Sequence, residues 1–166
     1  MQEEYFMKIA LEQAERALAD GEFPVGCVIA SSDGVLASGY RTGTVGKASN
    51  EIDHAEIITL KILAEQYNEL NKKDLTLFCT MEPCLMCFGA ILLSGIRKIV
   101  YSYEDVMGGG TGCDLSLLPP LYRESKVSIV SNVLREQSLK LFKAYFSNPA
   151  GIYWKGSLLA RYTLEQ

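Results

Sequence analysis

Residues 75–103 read LTLFCTMEPCLMCFGAILLSGIRKIVYSY. Leu75 to Thr80 form a short apolar run of the kind that fills a buried strand. Cys84 to Ser94 hold apolar residues over a helix's length, and Gly95 supplies the stop. Lys98 to Tyr103 return to strand residues. Strand, helix and strand in immediate succession imply a parallel crossover, because two parallel strands need a long connection between them. Upstream, Pro24 to Ala30 and Val35 to Tyr40 read as two strands around the turn Ser31-Ser32-Asp33-Gly34, a hairpin. A helix over residues 4–19 precedes them, with Phe6, Ile9, Ala10, Ala14, Ala17 and Leu18 at helical spacing and Asp20-Gly21 as its end. Residues 41–53 read as a loop and Ala55 to Gln66 as a second helix. Downstream come a strand at Val127 to Val130 and a helix from Val133 to Phe146. The tail from Gly151 is aromatic and weakly patterned. Helices alternating with strands predict one α/β domain over residues 1–166: a hairpin, then parallel crossovers, with helices on both faces of a mixed sheet. Its core spans about residues 4–147, with an extension at 148–166.

Composition narrows the function. The chain has 166 residues, 48% of them hydrophobic and 22% charged, which excludes a disordered or collagen-like polymer. No apolar run reaches the ~18 residues of a membrane helix, so no membrane partner is expected. Met1 to Tyr5 carry no basic start followed by an apolar stretch, so a cytoplasmic location is expected. The net charge of -4 gives no bulk attraction to nucleic acid. Residues 132–166 are the exception, with five basic and two acidic residues among several aromatics. Basic plus aromatic suits a nucleic-acid surface, but packing against the domain or a partner subunit is the favoured reading of those aromatics. The five cysteines, an odd number without an export signal, favour metal or catalytic use over a disulfide framework.

The chemistry gathers at two places. His54-Ala55-Glu56 opens the second helix, and Pro83-Cys84-Leu85-Met86-Cys87 opens the third. Cys84 and Cys87, three apart, project from one side of a helix's first turn, whose positive end favours thiolates. Two thiolates and an imidazole suit Zn²⁺, and a set of only three leaves a coordination position for water, the mark of a catalytic site. Glu56 lies two residues from His54 and is placed to move a proton. A redox pair would leave His54 and Glu56 unexplained. A structural zinc closed by Cys27, Cys79 or Cys113 would leave Glu56 without work. Cys27 and Cys79 read as core thiols, and Gly108-Gly109-Gly110-Thr111-Gly112 reads as a mobile loop near the site rather than a phosphate loop.

His-x-Glu with Pro-Cys-x-x-Cys is the signature of zinc nucleobase deaminases. The chain resembles the cytidine/deoxycytidylate deaminase superfamily, most of all its tRNA-adenosine, guanine and cytosine deaminases. The likeness extends to Glu22–Val28, to Met81–Ala90 and to the helix from Leu134 to Phe146. It implies a three-layer α/β/α sandwich with a five-stranded sheet. It implies zinc on His54, Cys84 and Cys87, with Glu56 as proton shuttle in a hydrolytic deamination that releases ammonia. It also implies a homodimer. One position departs: where the family places a ring-contacting Asn after the second strand, this chain has Arg41, and the loop leading to His54 is longer. Arg41 or Asn50 is therefore the candidate substrate contact. The expected substrate is a free base, a nucleoside or a related small molecule. A tRNA-adenosine deaminase is the alternative, and a zinc-stabilised binding protein without turnover is the second.

Overall fold

The structure is a computed structural model that describes residues 2–46, 48–67 and 69–166. Helix α1 (Gln2–Ala19) buries Phe6, Met7, Ala10, Leu11, Ala14 and Ala17, a stripe at helical spacing. It lies against β1 (Gly26–Ser31) and β2 (Gly34–Tyr40). The approach is close enough to demand a glycine. A Cβ on Gly26 would sit 2.1 Å from the Ala10 carbonyl oxygen and 2.5 Å from the Ala14 nitrogen.

Helix α2 (Ala55–Gln66), strand β3 (Thr76–Met81), helix α3 (Leu85–Ser94) and strand β4 (Lys98–Tyr103) follow. A one-turn helix α4 (Pro120–Arg123), strand β5 (Ser128–Val130), helix α5 (Arg135–Ser147) and helix α6 (Leu158–Glu165) complete the chain. The five strands form one mixed sheet in the order β2-β1-β3-β4-β5. The parallel part, β3-β4-β5, is as the sequence predicts. The start is the predicted hairpin, β1 with β2. Strand β1 is antiparallel to both β2 and β3, so the α2 crossover joins two parallel strands with β1 between them.

Alternation along the strands divides the interior. Cys27, Ile29, Leu77, Cys79 and Ile99 join Ala55 and Leu63 of α2 and Phe88 and Ile91 of α3. Val28, Ala30, Phe78 and Val100 meet Phe6, Met7, Ala10 and Leu11 of α1. Helix α5 packs beside α1 and sends Phe142 to Phe23 and Tyr103. These are the layers of an α/β/α sandwich. Within the loop over 41–53, Lys47 lies outside the described residues. No described helix is long and apolar enough to cross a membrane.

The helix α6 has no counterpart in the sequence reading. Its eight residues are too few for a periodic signal, yet Ser157 caps its start by accepting from the Ala160 N–H at 3.1 Å. Leu159 and Ala160 enter the core. The Tyr162 hydroxyl donates to Glu104 at 2.6 Å, and Arg135 of α5 donates to the same carboxylate from Nε at 2.8 Å and Nη2 at 2.5 Å. One carboxylate at the end of β4 thus ties α5 and α6 to the sheet.

Partial burial pushes the Glu104 carboxyl up, but Arg135 and Tyr162 outweigh it and hold the group at about 2, below its ordinary 4.5. A depressed native value stabilises the fold above pH 4.5, and that stabilisation is lost as pH falls towards about 2. Glu104→Gln is expected to flatten this part of a curve of Tm against pH. Wild-type and variant curves of identical slope in that window would refute the assignment.

Candidate metal centre and active site

His54 and Cys84 occupy equivalent places. Each immediately precedes a helix, α2 and α3 respectively, with extended backbone (φ −65°, ψ 150° and φ −67°, ψ 171°), and neither side chain caps its own helix. The imidazole and the thiol are therefore free to face each other. Cys84 Sγ lies 3.6 Å from His54 Nδ1, and Cys87 Sγ lies 3.5 Å from the same atom. Bonds of ~2.3 Å to sulfur and ~2.0–2.1 Å to nitrogen, set at the tetrahedral angle, separate the two donors by ~3.6 Å. One donor atom from each of the three residues lies within 4.8 Å of the others. The donor set fits zinc both in chemistry and in spacing. Among the described residues, Cys27, Cys79 and Cys113 do not join this group.

The two thiols behave differently. Hydrogen bonds from Cys87 and His54 hold the Cys84 thiol at about 4 against the effect of burial. Cys87 is pushed up, because it donates to Cys84 and is buried. On its own the pair gives up one proton; the second leaves when a divalent cation takes its place. Burial pulls the His54 pKa down, but its hydrogen bond to Cys84 and the nearby acidic groups leave it raised.

Glu56 sits in the first turn of α2, 3% exposed, and lines the same cavity as His54 and Cys84. Burial pushes its carboxyl up. The group holds a proton more readily than a surface glutamate, as a proton shuttle requires.

The glycine-rich run differs from the mobile loop that the sequence suggests. It is tied to the metal box: the Gly110 N–H donates to the Pro83 carbonyl at 2.9 Å, and Gly109 pairs with Cys84 in a β-bridge. A Cβ on Gly109 would lie 2.4 Å from a Glu82 carboxylate oxygen, and one on Gly110 2.6 Å from Leu85 Cα. Glycine is needed here for close approach of one backbone to another. Glu82 closes the arrangement by accepting from the Asp105 N–H at 3.2 Å and the Thr111 hydroxyl at 2.5 Å.

The cavity over the metal residues measures about 140 Å³, space for roughly five waters or one substituted ring. Arg41 lines it and is 2% exposed. Its Nη1 donates to the backbone carbonyls of Thr42 and Asp53, its guanidinium lies 5.5 Å from the centre of the Tyr153 ring, and Glu51 is 3.8 Å from Nη2. Asn50 is placed elsewhere. It is exposed, does not line the cavity, and spends its amide on Asp53 and on the N–H groups of Ile52 and Asp53. Several lining residues, among them Glu51, Glu82, Asp105, Tyr153 and Trp154, were not candidate site residues from sequence. Glu82 and Asp105 follow β3 and β4, at the strand ends where such sheets bind ligands, so their position carried a signal. Tyr153 and Trp154 arrive from the tail, as packing aromatics that also form a cavity wall. Trp154 does so with φ +56°, a conformation few bulky residues adopt.

Residues 1–103 match the model of the cytidine and deoxycytidylate deaminase zinc-binding region. The tRNA-specific adenosine deaminase of Bacillus subtilis strain 168 is 31% identical over 145 residues, covering 87% of this chain and 89% of that protein. Among solved structures, a tRNA:A34 deaminase superposes with a TM-score of 0.66 at 24% identity, over 82% of this chain and 98% of the other. The guanine deaminase of Nitrosomonas europaea superposes with a TM-score of 0.68 at 20% identity, over 86% and 83% of the two chains. These structural likenesses speak for the fold. The match over both metal boxes and the relative at 31% identity make this chain a member of the zinc-binding cytidine and deoxycytidylate deaminase family.

Proposed function

We propose that this protein removes an amino group hydrolytically from a nucleobase-type ring, with His54, Cys84 and Cys87 as the zinc ligands and Glu56 as the catalytic acid and base. The observation that carries the reading is the convergence of these three donors, with both sulfurs at zinc-ligand spacing from the imidazole, beside a cavity that His54, Cys84 and the buried Glu56 carboxyl line. Zinc, when bound, acts as a Lewis acid that makes water nucleophilic near neutral pH. Glu56 takes the proton that the attacking water gives up and passes it to the departing amino nitrogen. A carbon–oxygen bond forms, the carbon–nitrogen bond breaks, and the products are an oxo-substituted ring and ammonia.

Two observations bear on the substrate. The relative from Bacillus subtilis is a tRNA-specific adenosine deaminase, and it supports adenosine in tRNA better than the sequence reading did. The cavity has room for a small free ring: Arg41 lines it, and the tail brings Tyr153 and Trp154 to its wall. The relatives favour the first. Ammonia release from cytosine, adenine, guanine, their nucleosides and nucleotides, and a tRNA anticodon stem-loop decides between them. Turnover of the stem-loop alone would overturn the small-molecule reading.

Cys84→Ser and Cys87→Ser are expected to lose zinc by metal analysis. Glu56→Ala is expected to keep zinc and fold while turnover falls by ~10²–10⁴-fold. Stoichiometric zinc in the double cysteine variant would refute the ligand assignment, and unchanged turnover in Glu56→Ala would refute the proton shuttle.

We also propose that the chain pairs with a second copy. Leu85 and Leu93 of α3 are 64% and 61% exposed, and Leu117 and Leu121 around α4 are 81% and 65% exposed, apolar side chains that a second copy would cover. Sedimentation at micromolar concentration is expected to give a dimer, and a monomer there would refute the pairing.

A further inference from the structure

Arg41 has one polar atom to spare. Its Nη1 is taken by two backbone carbonyls, while Nη2 is buried without a hydrogen-bond partner. A buried guanidinium nitrogen left unpaired is expensive, and native interiors rarely keep one without a ligand or water to meet it. The residue borders the cavity, and the nearest carboxylate, Glu51, stops at 3.8 Å because it is held by the Tyr153 hydroxyl at 2.8 Å and the Ser49 hydroxyl at 2.5 Å. Cavity, donor and carboxylate therefore lie side by side.

The rest of the lining sets the chemistry of what fits. Among the described lining residues Arg41 is the one guanidinium or ammonium group, against the carboxyls of Glu51, Glu56, Glu82 and Asp105. A doubly charged phosphate at Nη2 would also stand close to the Glu51 carboxylate, a pairing of like charges. An uncharged acceptor would meet Nη2 without that penalty, and ring N–H or amino groups would meet the carboxyls. Arg41 beside Glu51 is a donor beside an acceptor, the complement of a ring –NH–C(=O)– edge. We propose that Arg41, with Glu51, selects an uncharged, amino-substituted ring bearing such a lactam edge. This deepens the deaminase reading and rests on it for the reaction, but not for the binding.

The test uses matched pairs in which the lactam carbonyl becomes an amino group: guanine with 2,6-diaminopurine, and cytosine with 2,4-diaminopyrimidine. Calorimetric affinities are measured on the zinc-loaded wild type, on Glu56→Gln, which separates binding from turnover, and on Arg41→Gln, with ammonia release in parallel. At least one oxo compound is expected to bind wild type and Glu56→Gln about tenfold to a hundredfold more tightly than its diamino partner, the scale of a hydrogen bond to a charged group. Arg41→Gln is expected to lose most of that preference while retaining zinc. Should Arg41→Gln fail to fold, the wild-type pairs decide by themselves. Equal affinity within both pairs, or no binding of any of the four, overturns the proposal and shows that a water alone meets Nη2. An oxo preference without ammonia from any substrate, tRNA included, supports Arg41 and overturns the deaminase reading instead.

Discussion

Two helix N-termini are brought to one point, and the rest of the site depends on that. Helices α2 and α3 both begin beside the cavity, each preceded by a metal-binding residue that leaves its helix uncapped. Both positive helix ends favour negative charge nearby. Cys84 gives up its proton the more readily of the two thiols, because Cys87 and His54 hydrogen-bond to it. The sheet makes the convergence possible: β1 lies between β2 and β3, so the two crossover helices lie on the same side, packed against each other.

This dependence explains what was readable in the sequence. Strong local signals were sufficient for the parallel strands and for α1, α2, α3 and α5, because each carries an apolar pattern of its own. The metal residues were readable because their chemistry fixes their spacing: a ligand at a helix start, and two more three residues apart. Residues that matter only through distant contacts were not. Tyr153 meets Glu51 across about a hundred residues of chain, and nothing local to either announces it. Asn50 illustrates the opposite error. Its residue type suits a substrate contact, but an amide in a loop is readily spent on neighbouring backbone, as it is here.

The glycine run shows how packing can decide between readings that composition leaves open. Five small residues in a row suggest freedom, yet Gly109 and Gly110 are glycines because a carboxylate and another backbone occupy the space that a side chain would need. Their contacts hold the turn after β3 in place, so the position of Cys84 is fixed from outside its helix as well as from within.

The tail adds a question of timing. The zinc donors are complete by Cys87, whereas Tyr153 and Trp154 follow the whole sheet in chain order. A growing chain emerges from its N-terminal end. The donors therefore emerge before the residues that wall the cavity beside them, and metal site and wall come from separate stretches of one chain. Residues far behind the donors in chain order can thus change the shape of the pocket without touching the ligand set.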